Sequence, residues 1–393
     1  MINSKLQDYL NGSYPHIDFP ETINYSKRTA INLGQCETAI KVMAKLPIQP
    51  QYRDKLLRIS LIKGAQATTA IEGNTLSEDE IKEIIEGKSL PASKEYQEIE
   101  VKNVLEAYNG YLHEVLVSKT WHLITPQLLR DFHSKIGKNL GEHFEALPGQ
   151  FRKNNVFIST YRPPDYNYVE DLMEEYCEWL KRVFHYDKQK QTFYEFTIEA
   201  IVSHIYLALI HPFGDGNGRT ARLLEFYILL RGGVPVIATY VLSNFYNETR
   251  PEYYRHLSNV SKTRDMSGFI DYAVQGFSDG LHKILDIYIN NLLEITWHKH
   301  IYDKFSEIQF RKGTFKRKRG LILNMPTDRE YSIDEIVESN TKITKMYAGK
   351  NRKTIARDLK ELQALGLLVK ERSKYKANID VINNLVFPSK STK

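Results

Sequence analysis

The chain has 393 residues, 42% hydrophobic, 11% aromatic and 26% charged, enough for a sizeable core plus an appended unit; this excludes a disordered, collagen-like or low-complexity chain. Its two cysteines, Cys36 and Cys177, exclude a disulfide scaffold or a Cys-rich zinc site and point to a reducing, cytoplasmic compartment. The net charge of +6 is uneven: from Arg311 onward 20 Lys and Arg face 9 Asp and Glu, while the preceding 310 residues hold 34 against 39, which marks the C-terminal segment as a unit with a candidate polyanion partner. No apolar leader is read at the N-terminus, and the most apolar stretch, 200–213, contains His204 and His211 and is too short to cross a bilayer, so no membrane partner is expected.

In chain order nearly every segment reads as helix. Leu57, Leu61, Gly64, Thr68 and Ile71 recur at spacings of four and three, which predicts a helix over 54–72 stopped by Gly73-Asn74. Ser77 with Glu80 is a capping-box start for the next helix. At 149–159, β-prone arms flank Asn154-Asn155, which predicts a hairpin. Helical periodicity returns at Val169, Leu172, Met173, Tyr176 and Leu180. Further helices are expected over 196–210, 219–230 and 281–305, followed by a basic linker over 311–319. The last unit, about 320–386, reads as a capped helix from Ser332, a basic helix over 351–365 and a two-stranded wing at 367–370 and 374–376. That is the winged-helix order.

The chemistry concentrates in 211–222, which read His-Pro-Phe-Gly-Asp-Gly-Asn-Gly-Arg-Thr-Ala-Arg. Pro212 ends an apolar helix that delivers His211. Gly214, Gly216 and Gly218 allow a tight loop whose amides can point inward at one anion, and a new helix starting near Gly218 adds its N-terminal dipole. Arg219 and Arg222 are three apart on one helix face, so both guanidiniums can clamp phosphate oxygens. Asp215 is a hard oxygen ligand suited to Mg2+ on a polyphosphate. His211 at the loop mouth can act as a base near pH 7. No Gly-Lys-Ser/Thr follows, and the Gly-x-Gly-x-x-Gly spacing fails at Arg219, so neither a Walker loop nor a dinucleotide fingerprint is present.

This segment is similar to the Fic motif, His-Pro-Phe-x-Asp-Gly-Asn-Gly-Arg-x-x-Arg, at every fixed position. The resemblance implies a mainly α fold, a Fic-type helical bundle with a β-hairpin flap, here followed by the winged helix. It implies transfer of AMP from ATP to a Ser, Thr or Tyr hydroxyl of a protein, the chain itself included. His211 would take the hydroxyl proton and Asp215 would hold Mg2+. Gly214, Gly216, Asn217 and Gly218 would cradle the phosphates, and Arg219 and Arg222 would neutralise them. On this reading 1–100 is an N-terminal helical region, 101–280 the Fic domain, 281–319 the connecting helix and linker, and 320–386 the winged helix.

Three further segments carry the resemblance. Thr68 to Gly73 looks like the family's inhibitory motif, Ser/Thr-x-x-x-Glu-Gly/Asn. A Glu in the last turn of a helix is repelled by the helix dipole and calls for a cation; the resemblance implies Arg222, with Glu72 as an autoinhibitory brake. In some relatives the equivalent Glu also assists removal of AMP. The segment 149–159 resembles the flap, whose edge would hold the target by strand addition. Tyr253-Tyr254 with Leu257 resembles the segment beside the adenine, although Ser261 stands where many relatives carry Asn. His204 reads as core, and His298 and His300 as surface. Two other readings remain open: a DNA-binding regulator with a Fic sensor domain, whose contacts would be Arg352, Lys353, Arg357 and Lys360 with Asp358 and Glu361 diluting the basic face, and a Fic enzyme using another donor.

Overall fold

The computed structural model describes residues 4–158, 160–184, 191–307 and 312–383. These form two units, 1–286 and 287–393, and the division falls inside one long helix. The first unit is mainly helical among the described residues, with α1 (Ser4–Ser13), α2 (Lys27–Lys45), α3 (Pro50–Ala70), α4 (Glu78–Ile85), α5 (Glu95–Leu112), α6 (Pro126–Ile136), α7 (Val169–Phe184), α8 (Phe193–Ile210), α9 (Asn217–Arg231), α10 (Val241–Glu248), α11 (Arg250–Thr263) and the first half of α12 (Ser267–Ser306), whose second half belongs to the second unit. Its axis is the α8–α9 pair. Along α8, Ile198, Ile201, Val202, Ile205 and Leu209 are buried on successive faces, as expected of a helix apolar all round. Among the described residues it is the one helix long and apolar enough to cross a membrane, and 89% of it is buried inside the unit.

Local chemistry sets the ends of these helices. Ser77 and Glu80 form the expected capping box, and Thr192 and Glu195 form another at the start of α8. Gly64 lets α3 lie against Tyr240, because a Cβ there would stand 2.4 Å from the ring.

The hairpin expected at 149–159 does not form. Ser159 lies outside the described residues, and from Phe151 to Phe157 no strand appears; the pairing is a single bridge between Ile158 and Tyr161. The reason is Arg152. Its backbone N–H donates to Pro212 O at 2.9 Å, and its side chain donates to Asn154 O at 3.0 Å and to Pro164 O. The Arg152 N–H that a ladder would need is spent on a carbonyl outside the segment.

Helix α12 begins at Ser267, in the first unit, rather than near 281, and in the second unit α13 (Lys312–Asn324) replaces the expected basic linker. The linker reading failed because Leu321 and Ile322, at the end of the run, are buried core residues. After α14 (Ile333–Glu338), a short α15 (Thr341–Tyr347) was not anticipated. Then come α16 (Arg352–Ala364), β1 (Leu368–Glu371) and β2 (Lys374–Ala377), antiparallel in the register Leu368↔Ala377 to Glu371↔Lys374. Tyr331 adds a bridge to Tyr375. Trp297, Ile301, Phe305, Ile336, Ile355 and Leu359 fill this core. Asp358 does not dilute the basic face of α16: it is fully buried, accepting from Arg317 Nε at 2.7 Å and Tyr347 OH at 2.8 Å. His298 and His300 are half-buried rather than on the surface, and the His300 ring stacks on Trp297.

Candidate active site

The site is built on the turn between α8 and α9. His211 caps α8 in the left-handed conformation, φ 51° and ψ 60°, with its N–H bonded to Leu207 O at 3.0 Å. A non-glycine residue at positive φ is strained and needs its surroundings to hold it. Arg152 supplies that hold, donating from Nε to His211 O at 2.8 Å. The imidazole Nδ1 stands 3.4 Å from Ala208 O. A carbonyl only accepts, so Nδ1 carries the proton and Nε2 keeps its lone pair. Burial lowers the His211 pKa to about 4, with the nearby Arg152 charge pushing the same way. The ring is therefore neutral at pH 7 and able to accept a proton.

The loop itself is braced from inside. The Asn217 side chain closes it, accepting from Phe213 N–H and donating to Phe213 O, both at 2.9 Å. Phe213 is fully buried and stacks on His133 with ring centroids 3.8 Å apart. His133 accepts from Gly149 N–H at 2.9 Å on Nδ1, so its Nε2–H donates to Asp215 O at 2.9 Å. Burial keeps this ring neutral too, at a pKa of about 4. Gly216 sits at φ 74° at the head of α9, with Phe144 where a side chain would go. The first intrahelical bond runs from Thr220 N–H to Gly216 O at 2.9 Å, which leaves the amides of Asn217, Gly218 and Arg219 without helical partners. The Gly216 amide is already taken by Asp215 Oδ1 at 2.5 Å.

The two arginines do not share a partner. Arg222 is fully buried and turns to the end of α3, where Nε donates to Thr68 Oγ1 and Nη2 to Thr68 O, both at 2.9 Å. Nη2 also meets Glu72 Oε1 at 2.5 Å, and Nη1 has no hydrogen-bond partner among the described residues. Thr68 and Glu72 lie four apart on one face, which is why both reach it. The carboxylate also abuts the loop, since a Cβ on Gly218 would stand 2.2 Å from Glu72 Oε1. Burial works to raise the Glu72 pKa, but the charge of Arg222, the bond to it and the charge of Arg219 outweigh it, so the carboxyl is held below the ordinary Glu value. Arg219, also buried, spans Glu100 Oε1 at 2.5 Å and Asp215 Oδ1 at 3.1 Å. Each guanidinium is held by a carboxylate: Arg222 by Glu72, the partner the resemblance implied, and Arg219 by Glu100 and Asp215, which no sequence signal pointed to.

Tyr253 and Tyr254 part ways. Tyr253 is 2% exposed, and its hydroxyl pairs with His204 Nε2 at 2.8 Å. His204, fully buried as expected, lies 3.1 Å from Glu225 Oε2 on its other nitrogen. Tyr253 thus supports the site from below and has no face left for a ligand. Tyr254 is 44% exposed and donates to Ile71 O at 3.2 Å, beside Glu72.

Asp215 keeps 31% of its side chain exposed, and Oδ2 has no hydrogen-bond partner among the described residues. None of these residues form a cluster of three or more His, Cys, Asp or Glu able to hold a metal alone. One open carboxylate fits an ion that takes its other ligands from water and substrate phosphates, the habit of Mg2+.

Sequence reasoning missed Glu100, His133 and Arg152, whose partners lie far along the chain. The comparisons agree with the geometry. Residues 123–229 match the Fic/DOC family. A curated relative, protein adenylyltransferase fic-1 of Caenorhabditis briggsae, is 32% identical over 209 residues, 53% of this chain and 38% of that protein. The chain thus spans well under half the length of that relative. A Fic family protein from Desulfovibrio desulfuricans G20 shares the fold with a TM-score of 0.55 at 18% identity, over 91% of this chain and 98% of that one. A Fic-1 fragment from C. elegans superposes with a TM-score of 0.52 at 25% identity, over 67% of this chain and 73% of the fragment. The His211–Arg222 loop thus lies inside the segment that matches the Fic/DOC family.

Proposed function

We propose that this protein is an adenylyltransferase that moves AMP from ATP to a Ser, Thr or Tyr hydroxyl of a protein, itself included, and that Glu72 holds it inactive. The observation that carries the reading is the pairing of a neutral His211 at the loop mouth with Arg222, whose one unpartnered nitrogen and carboxylate partner mark an anion site already filled from within.

In the reaction, the target hydroxyl approaches His211 Nε2, which takes its proton. The hydroxyl oxygen attacks the α-phosphorus in line, a P–O bond forms, the bond to the β-phosphate bridging oxygen breaks, and pyrophosphate leaves. The amides of Gly218 and its neighbours, with Gly214 and Gly216 giving close backbone approach, cradle the phosphates. Arg222 takes the distal phosphate once Glu72 withdraws, and Arg219 keeps Asp215 in place. Asp215 would hold Mg2+, which when bound supplies charge neutralisation on the phosphates. Tyr254 offers a partly exposed ring to the adenine; Tyr253 stays beneath it as support. The segment 149–158 is tied to the base through Arg152, which donates to His211 O. The two free, buried cysteines suit the cytoplasm.

Wild type, Glu72→Gly and His211→Ala incubated with Mg2+ and each α-labelled nucleotide test the whole reading. Glu72→Gly should raise label on the protein about tenfold or more, equivalent to about 1.4 kcal/mol, with adenine the preferred base, and Glu72→Gly/His211→Ala should abolish it. Equal labelling of wild type and Glu72→Gly would remove the brake; label from another nucleotide would change the donor; label surviving loss of His211 would remove the base.

A second reading, DNA binding by 320–386 as a winged helix, is favoured by one observation: Arg352, Lys353, Arg357 and Lys360 are all exposed on α16, while Asp358 is turned into the core.

A further inference from the structure

Arg219 is 3% exposed and divides its donors between two carboxylates, Glu100 through Nη1 and Asp215 through Nη2. Glu100 is itself fixed on its second oxygen by Asn74 Nδ2 at 2.7 Å. Asn74 is held in turn: Oδ1 accepts from Leu76 N–H at 3.0 Å, and Nδ2 also donates to Gln97 O at 3.1 Å. Asn74 and the Glu100 side chain are both buried, at 8% and 4% exposure, so water cannot replace these partners and the chain of bonds has one arrangement.

The consequence lies at Asp215. A guanidinium facing a lone carboxylate tends to bind both its oxygens in a fork. Glu100 holds Nη1 and with it the set of the guanidinium plane, so that only Nη2 reaches Asp215, on Oδ1; among the described residues Nε has no hydrogen-bond partner and Oδ2 stays open. The turn after α3 therefore reaches both motif arginines, through Glu72 to Arg222 and, two residues later, through Asn74 and Glu100 to Arg219.

We infer that Glu100 is a positioning residue that keeps Asp215 Oδ2 open for the Mg2+ accompanying the nucleotide, and that Asn74 couples this setting to the turn carrying Glu72. The inference rests on the nucleotide-transfer reading of the site. Replacing Glu100 by Gln removes the charge that divides Arg219 and sets an amide N–H against Asn74 Nδ2–H, so Arg219 closes on Asp215.

The experiment uses the full chain with Glu72→Gly/His211→Ala as parent, which binds nucleotide without turnover. ATP affinity is measured calorimetrically across a Mg2+ titration. Outer partners of metal-binding groups are worth roughly 10–100-fold in metal affinity. Glu100→Gln should thus raise the Mg2+ midpoint about tenfold while ATP affinity without Mg2+ holds within about twofold. Asn74→Ala, which leaves the Glu100–Arg219 pair in place, should shift the midpoint the same way by a smaller factor. An unchanged midpoint in Glu100→Gln overturns the inference, as does equal loss of ATP affinity with and without Mg2+, the mark of a merely structural role. Should Glu100→Gln not fold, an unshifted Asn74→Ala overturns it alone. A parent that binds no ATP at any Mg2+ concentration overturns the nucleotide reading itself, a result distinct from the others.

Discussion

At the scale of single residues, the protonation of His211 decides when the site can work. Burial takes its pKa from the ordinary value near 6.5 down to about 4. The base form is therefore complete at neutral pH and is lost only as pH falls through about 4. Since kcat/KM reports the free enzyme, the self-labelling kcat/KM of Glu72→Gly with Mg2+-saturated nucleotide should stay level down to about pH 5 and drop below it. A limb centred near 6.5 would show the imidazole to be solvated and the geometry wrong. The same shift bears on stability. Between about 4 and 6.5 the unfolded chain binds a proton at His211 that the folded chain refuses, so this residue's contribution is intact above 6.5 and erodes as pH falls through that window. The loop was legible in the sequence because its glycines, aspartate and arginines are neighbours. The groups that hold it were not: Glu100, His133 and Arg152 lie 119, 82 and 59 residues from the atoms they bind, and a buried Glu, His or Arg looks like any other until its partner is found.

Among the elements, α3 matters most, because its last turn carries Thr68 and leads into Glu72. Its seat is the contact of Gly64 with Tyr240, a fully packed ring that also lies against Phe226 of α9, centroids 5.2 Å apart. Forcing a methyl group into that contact costs roughly 1–3 kcal/mol and pushes α3 away from α9, which bears Arg222. Gly64→Ala should therefore lower the melting temperature by roughly 2–4 °C per kcal/mol and also raise basal self-labelling, though less than Glu72→Gly does. A lower melting temperature with unchanged labelling would mean that α3 sits loosely enough for its end to hold station regardless. The helix was readable from its spacing, as were the Ser77 box and the paired strands β1 and β2, because each rests on near neighbours. The segment 149–158 was misread because its Asn-Asn turn signal is local, whereas the bonds that unmake the hairpin come from Arg152 to Pro212 and Pro164. Helix α15 was missed because seven residues between turn signals carry too short a period to register.

At the scale of the whole molecule, charge separates the two ends of the chain, and the structure shows how the second unit displays it. Asp358 is neutralised inside by Arg317 and accepts a hydrogen bond from Tyr347, and Glu361 is bound by Lys318. What faces solvent on α16 is Lys353, Arg357 and Lys360, with Arg352 shared with Asp334 at 2.8 Å; Lys370, Arg372 and Lys374 are exposed on the adjoining strands and their turn. On the DNA-binding reading such a surface would meet phosphates by number rather than by sequence. If three or four of these cations each release a counterion from duplex DNA, log K should fall against log salt with a slope of roughly −3 to −4. The full chain should therefore shift a duplex at low salt and release it as salt rises, and reversing Lys353, Arg357 and Lys360 to Glu should abolish the shift. The same triple variant in a Glu72→Gly background should label itself as Glu72→Gly does, since all three residues lie outside the first unit. A full chain that leaves DNA unshifted even at low salt ends the nucleic-acid reading, and the basic helix then has to be explained by an acidic protein surface.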